Sequence, residues 1–264
     1  VNNTALFNST QQGYQIWTVP QTGNYRIKAY GAMGGRDGGG TQDEMGKGAW
    51  TQGDFYLNKG TQLLIIVGQQ GVKAQWLTGS GEGAGGGGGA TWVLRAGETE
   101  AIDSNLYCVA GGGGGERDSG STSTTPPNNE NGGIVQNALV TNWSSVQSTF
   151  GSAAWGGSGG ASYGIDGGIS SSGSYNYSSF APRNPFHSSG ALGGKAGDSW
   201  GEDGGFGGGG GQGLHNAGGG GGYVGGDHGG SVGGEGGSSR NNGSSISFGN
   251  HTNSNGSVEI TFIS

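Results

Sequence analysis

The stretch Gly85-Gly86-Gly87-Gly88-Gly89-Ala90-Thr91-Trp92-Val93-Leu94-Arg95 passes without a break from five glycines into an apolar run that reads as a β-strand. Its mirror image follows, where Leu106-Tyr107-Cys108-Val109-Ala110 runs straight into Gly111-Gly112-Gly113-Gly114-Gly115. Strands therefore hand over to glycine runs, which should leave and re-enter the sheet at one end. Further runs at 207–211 and 218–222 contribute to a total of 69 glycines in 264 residues. Ordering glycine is entropically costly, roughly 0.5–1 kcal/mol worse than alanine in a regular element. Such runs stay ordered only if something repetitive holds them. A collagen helix would need glycine at every third position and abundant proline, and this chain has five prolines and unbroken glycine blocks. The remaining ordered form is a bundle of extended polyproline-II strands, at about 3.1 Å per residue, whose bare backbones share N–H···O and Cα–H···O contacts.

Outward from these junctions the sequence is that of a β-protein. Tyr25-Arg26-Ile27-Lys28-Ala29-Tyr30 alternates apolar with basic or aromatic residues, and Gln21-Thr22-Gly23-Asn24 reads as a hairpin turn back to a strand at 14–19. Strands at 54–57 and 63–67 flank Asn58-Lys59-Gly60, and the second is apolar throughout, as a strand covered on both faces should be. At the far end Val258, Ile260 and Phe262 share one face of a strand at 258–263. About seven short strands predict a β-sandwich. A stripe formed by Val135, Leu139, Trp143, Val146 and Phe150 has helical spacing and allows one short α-helix. The expected fold is all-β, a sandwich with an inserted polyglycine-II bundle, forming one composite domain over 1–264. The sandwich strands lie near 14–30, 54–67, 90–110 and 258–263; the bundle takes mainly 31–49, 79–89, 111–133 and 151–240.

Composition narrows the function. Charged residues make up 11% of the chain and the formal net charge is −7, which is not the basic footprint of a nucleic-acid binder. No run of about 18 apolar residues and no charged, apolar leader is present, so neither membrane insertion nor a retained signal peptide is expected within these residues. The single cysteine, Cys108, sits in an apolar strand and reads as an inert packed thiol. Asn-x-Ser/Thr sequons at Asn2, Asn8, Asn142, Asn176, Asn242, Asn250 and Asn255 point to a secreted or surface-displayed glycoprotein.

Motifs for catalysis or cofactor binding lack their structural context. GxGxxG patterns occur without the following helix that a phosphate site needs. Gly156-Gly157-Ser158-Gly159-Gly160 fits a nucleophile elbow by letters alone, with no preceding apolar strand. His187, His215, His228 and His251 show no zinc spacing and are expected to be exposed loop residues. Asp198, Glu202, Asp203 and Asp227 match no calcium loop. No cofactor, metal or enzymatic activity is expected. Of the seven tryptophans, most should plug the core or cap the glycine bundle, and one or two could anchor a partner.

Several blocks together carry a family resemblance. Gly13-Tyr14-Gln15-Ile16-Trp17-Thr18-Val19-Pro20, then Tyr30-Gly31-Ala32-Met33-Gly34-Gly35, then Val67-Gly68-Gln69-Gln70-Gly71, in this order, resemble the glycine-rich extracellular domain of anaplastic lymphoma kinase and leukocyte tyrosine kinase. Ala90-Thr91-Trp92-Val93 after its glycine run, and Tyr223-Val224-Gly225-Gly226 after another, continue the match. The resemblance implies a tumour-necrosis-factor-like sandwich with a hexagonal polyglycine-II array, acting by protein–protein contact. Those receptors carry several cysteines in this domain and capture a small cytokine; with Cys108 alone here, their cytokine site is carried over to no residue of this chain.

The expected function is that of a non-enzymatic structural or adhesive glycoprotein, extracellular or at the cell surface, whose partners are other protein chains, including copies of itself. Ala5, Leu6, Phe7, Val258, Ile260 and Phe262, on the two terminal segments 1–7 and 258–263, are the assembly candidates, because an exposed sheet edge can be completed by strand addition. The alternatives are a ligand-binding ectodomain piece of a receptor similar to the anaplastic lymphoma kinase family and, more remotely, an ice-binding protein.

Overall fold

A computed structural model describes residues 7–8, 13–36, 45–74, 83–98, 103–116, 133–134, 159–163, 167, 191–194, 202–211, 216–228 and 233–264. The helical stripe at 135–150 and most of the elbow-like motif at 156–160 lie outside these residues. So do Trp76, Trp143, Trp155, Trp200, His187 and His215.

Eleven strands are found among the described residues: β1 (Phe7–Asn8), β2 (Tyr14–Thr18), β3 (Gly23–Tyr30), β4 (Gly48–Leu57), β5 (Gln62–Ile66), β6 (Thr91–Arg95), β7 (Leu106–Ala110), β8 (Gly133–Ile134), β9 (Ser238–Asn241), β10 (Ser244–His251) and β11 (Ser257–Phe262). A single 3-10 turn at Asp103–Asn105 precedes β7. The strands form a seven-stranded sheet in the order β1-β2-β5-β6-β7-β9-β8 and a four-stranded sheet in the order β10-β4-β3-β11. Pairing is antiparallel throughout except between β8 and β9. The fold is an all-β sandwich.

Period-2 alternation builds the space between the sheets. On β3, Tyr25, Ile27 and Ala29 point inward, and they meet Trp17, Leu63, Ile65, Val93 and Cys108 of the seven-stranded sheet. The alternate residues of that larger sheet face a second core, in which Leu64, Ile66, Trp92, Leu94 and Val109 pack under Tyr163, Ala191 and Tyr223 from the glycine-rich segments. β5 is thus buried on both faces, as its unbroken apolar run predicts.

Two tryptophans show how the layers are joined. Trp17 packs edge-on against Tyr25 across the sandwich, with ring centroids 5.5 Å apart. Trp92, fully buried, lies on the other face of its sheet, where its indole N–H donates to the carbonyl of Gly207 at 3.2 Å.

The glycine segments bond with a period unlike that of a sheet. The N–H groups of Gly85 and Gly88 donate to Glu116 and Gly113; those of Gly86 and Gly89 to Val72 and Gln69; those of Gly87 and Ala90 to Gly210 and Gly207. Each successive N–H turns to a different neighbour, and each neighbour returns after three residues. A β-ladder returns after two. Residues 68–74, which the sequence leaves outside the bundle, belong to this network.

Three expectations need correcting. Strands β2 and β3 do not form a hairpin: β2 pairs with β1 and β5, and β3 with β4 and β11, so 19–22 crosses from one sheet to the other. Pro20 lacks an N–H, and Val19 is held by Thr61 and Gly60 instead, donating to the first and accepting from the second. Second, part of the predicted bundle is strand: residues 48–49 open β4, Gly133 opens β8 and 238–240 lie in β9. Third, His251 is no exposed loop residue. It ends β10, is buried, and its Nδ1–H donates to the carbonyl of Gly31 at 2.8 Å, with the ring tilted against Tyr30.

Candidate interaction surface

The central strands β5, β6 and β7 of the seven-stranded sheet are packed on both faces, whereas the four-stranded sheet turns one face outward. Alternation aims Asn24, Arg26, Lys28 and Tyr30 of β3 and Trp50, Gln52, Asp54 and Tyr56 of β4 to that side. The register sets Arg26 opposite Asp54, Lys28 opposite Gln52 and Tyr30 opposite Trp50. From the other neighbour, Glu259 of β11 stands opposite Lys28.

Cross-strand pairs organise this face. Arg26 grips Asp54 with two parallel bonds, Nε to Oδ1 at 2.7 Å and Nη2 to Oδ2 at 2.9 Å. The hydrogen bond from Arg26 holds the Asp54 carboxyl below its ordinary range, and the hydrogen bond to Asp54 with its charge holds Arg26 above its own. The Lys28 ammonium stands over the rings of Trp50 and Tyr30, 4.3 and 4.8 Å from their centroids. Tyr30 donates its hydroxyl to Glu259 at 3.0 Å. Tyr56, at the end of the row, is 67% exposed. The result is a solvent-facing row of paired charges and amphipathic rings, a composition that suits contact with a polar macromolecular surface.

The sequence-predicted sites distribute unevenly. Asn2, Asn142, Asn176, Ala5 and Leu6 lie outside the described residues. Phe7 and Asn8 form β1, opposite Trp17 and Ile16, so Phe7 is paired within the chain to β2. Asn8 belongs to β1 and Asn250 to β10. Asn242, Asn250 and Asn255 are exposed. The Asn242 amide already donates to the Leu106 carbonyl at 2.9 Å, and the Asn255 Oδ1 accepts from the Gln70 N–H at 3.0 Å. Val258, Ile260 and Phe262 do share the inward face of β11: the first two are half-buried against the core, and Phe262 meets Tyr25 edge-on at 5.3 Å while 43% exposed. The two terminal candidates lie on different sheets, β1 at the edge of one and β11 at the edge of the other.

Sequence reasoning missed the pairing of Trp50 with Tyr30. Its signal was the alternation of Trp50, Gln52, Asp54 and Tyr56 with Ala49, Thr51, Gly53 and Phe55, in which Gly53 leaves room for the side chain of Asn241 on β9. Among the described residues no three His, Cys, Asp or Glu side chains are grouped to hold a metal ion, and no helix is long and apolar enough to cross a membrane.

Comparison with known proteins gives a partial likeness. Over 65 residues, 24% of this chain, the sequence is 43% identical to the Leukocyte tyrosine kinase receptor of Mus musculus. The likeness is to a small part of a receptor. It covers 7% of that relative's length. No family model matches the chain.

Proposed function

We propose that this chain is a non-catalytic, extracellular glycoprotein module that works through protein–protein contacts, in which a sandwich supported on polyglycine-II helices presents one open sheet to other chains. The observation that carries this reading is the asymmetry of the two sheets. One is packed on both faces at its central strands, and the other exposes a face of paired charges and aromatic rings. The three-residue bonding period of the glycine segments supports the helical support, and the partial likeness to a receptor supports an extracellular setting.

Association with copies of itself is the leading form of the reading, because β11, which carries three of the predicted assembly residues, stands at the end of its sheet. Sedimentation velocity over a rising concentration series is the test. Reversible growth of assemblies supports self-association, and a chain that stays monomeric at the highest concentration overturns it. A second form, capture of a separate protein ligand, is favoured by the similarity to the receptor. It makes the outer face, and not the edge, the sensitive surface: Lys28→Glu with Trp50→Ala should abolish ligand capture while leaving the fold intact, and unchanged capture would refute that form.

A further inference from the structure

β11 closes the four-stranded order, and its register with β3 fixes where its backbone groups point. Ile263 donates to the carbonyl of Asn24 at 2.8 Å, and the pairs Thr261–Arg26, Glu259–Lys28 and Ser257–Tyr30 follow at steps of two. In an antiparallel ladder, bonded and non-bonded pairs alternate. Residues 257, 259 and 261 therefore bond to β3, and the N–H and C=O groups of Val258, Ile260 and Phe262 point away from it. Those are the same residues whose side chains face the core. Beside them Phe262 and Ile263 are 43% and 46% exposed. Among the described strands, β11 pairs with β3 alone.

The opposite edge is built differently. The pairing of β10 with β4 shifts register between Ser244 and Ser247, and Ser245 lies at φ 50° in the left-handed region. Asn250, an exposed sequon residue, sits on the same strand. A bulged edge that can carry a glycan resists strand addition, whereas β11 is regular and, among the described strands, has no second partner.

We infer that β11 is a homodimerisation edge, pairing antiparallel with β11 of a second copy about a two-fold axis at Ile260 and joining the two four-stranded sheets into one continuous sheet. This rests on the self-association reading above and specifies its geometry. The register is selected by the residues themselves. With the axis at Ile260, Ile260 bonds to its own copy and Val258 to Phe262 of the second copy, reciprocally, so all three outward-pointing residues are satisfied. On the solvent side Glu259 then faces Thr261. Moving the axis to Glu259 would set two carboxylates directly opposite one another, which is destabilising. Moving it to Thr261 would leave Val258 opposite Ser264, beyond the strand. Because the contact is isologous it closes at two copies; with the β10 edge bulged, further growth through the four-stranded sheet is blocked.

The test uses the full chain, with sedimentation velocity and far-ultraviolet circular dichroism run in parallel. Ile260→Pro removes an N–H directed to the second copy and none that bonds β3, a position where an edge strand tolerates proline. It should give a monomer with an unchanged spectrum. Thr261→Glu places like charges opposite each other twice in the dimer, yet in the monomer its new carboxylate stands opposite Arg26. It should weaken dimerisation by roughly two- to thirty-fold. Thr261→Lys, facing Glu259 of the second copy, should not weaken it. An assembly that withstands both Ile260→Pro and Thr261→Glu overturns this geometry and leaves self-association standing; a wild-type chain monomeric at every concentration overturns both. If Ile260→Pro fails to fold, the charge pair decides: equal dimerisation by Thr261→Glu and Thr261→Lys refutes the inference.

Discussion

Replacing Gly87 by alanine probes whether backbone-to-backbone contact between glycine segments holds the molecule together. A Cβ on Gly87 would overlap the carbonyl oxygen of Gly219 and come within 3.0 Å of that of Gly218. Neither obstacle is a side chain that could turn aside, so the segments must separate. Two hydrogen bonds bracket the contact, Gly218 N–H to Gly85 O at 3.2 Å and Gly221 N–H to Gly88 O at 3.0 Å, and both lengthen when that happens. Losing most of two net hydrogen bonds costs about 1–2 kcal/mol, and forcing atoms into a packed site adds roughly 1–3 kcal/mol. Alanine gives back roughly 0.4–1 kcal/mol by restricting the unfolded chain. The net destabilisation is then about 2–4 kcal/mol, which for a chain of this size lowers Tm by roughly 4–16 °C. Differential scanning calorimetry measures it, with Tyr56→Ser on the exposed outer face as a control expected to move Tm little. Should Gly87→Ala melt within about 1 °C of wild type, the glycine segments do not pack as described.

Other perturbations test other links. Thr91, fully buried, donates its hydroxyl to the Tyr30 carbonyl at 2.6 Å and accepts the Gly68 N–H at 2.9 Å; Thr91→Val strands both groups and should lower stability by about 2–4 kcal/mol in urea titration, while Thr91→Ser should recover most of it. Burial pushes the Cys108 thiol up to about 12, so the folded chain should not react with a thiol-specific disulfide reagent at pH 8 until denaturant is added. Because that pKa is raised on folding, its contribution to stability is complete below the unfolded thiol value and is lost as pH climbs toward about 12; a rise in stability over that alkaline range would contradict the assignment. Glycopeptide mass spectrometry of material secreted by eukaryotic cells should find Asn250 and Asn255 occupied and Asn242 least so, since the Asn242 amide is bonded to Leu106; full occupancy at Asn242 with none at Asn250 would reverse the argument.

What was legible in the sequence follows from how locally each feature is determined. β6 and β7 begin and end where their apolar runs do, because a buried strand needs little beyond a continuous stretch of β-branched and aromatic residues. The choice of sheet is not local. A link of four residues between β2 and β3 serves a hairpin or a crossover between sheets equally well, and distant partners, β5 for one and β4 for the other, decide it. β10 was illegible for a related reason: Ser244-Ser245-Ile246-Ser247-Phe248-Gly249-Asn250-His251 has weak strand propensity and is held by its ladder with β4. The outer-face row was half visible. Arg26 and Lys28 show in the alternation of β3, but Trp50 lies where glycine-rich sequence masks the start of β4.

The glycine segments also explain why the exposed charged and aromatic residues gather where they do. A backbone without side chains can pack at distances where a neighbouring carbonyl occupies the place of a Cβ, as Gly87 and Gly113 do against Gly219 and Gly46. Such packing supplies rigidity at the expense of chemical variety. Aromatic plugs at Tyr163, Phe206 and Tyr223 then fasten the segments to one face of the seven-stranded sheet, using up that face for adhesion within the molecule. The inner face is used up by the sandwich. Of the faces and edges of the four-stranded sheet, one face is consumed in the same core, and β10 is irregular and bears a sequon. The outer face and the β11 edge are left. They meet at Glu259, which accepts the Tyr30 hydroxyl on the face and stands beside the outward-pointing backbone of Val258 and Ile260 on the edge. Strand addition at β11 would therefore extend the charged and aromatic row directly into that of a second copy, so that dimerisation would double the area of the outer face without altering a residue in it. If the face binds a partner, Ile260→Pro should weaken capture of a two-fold symmetric partner far more than of a monomeric one, and equal losses for both would show that edge and face act independently.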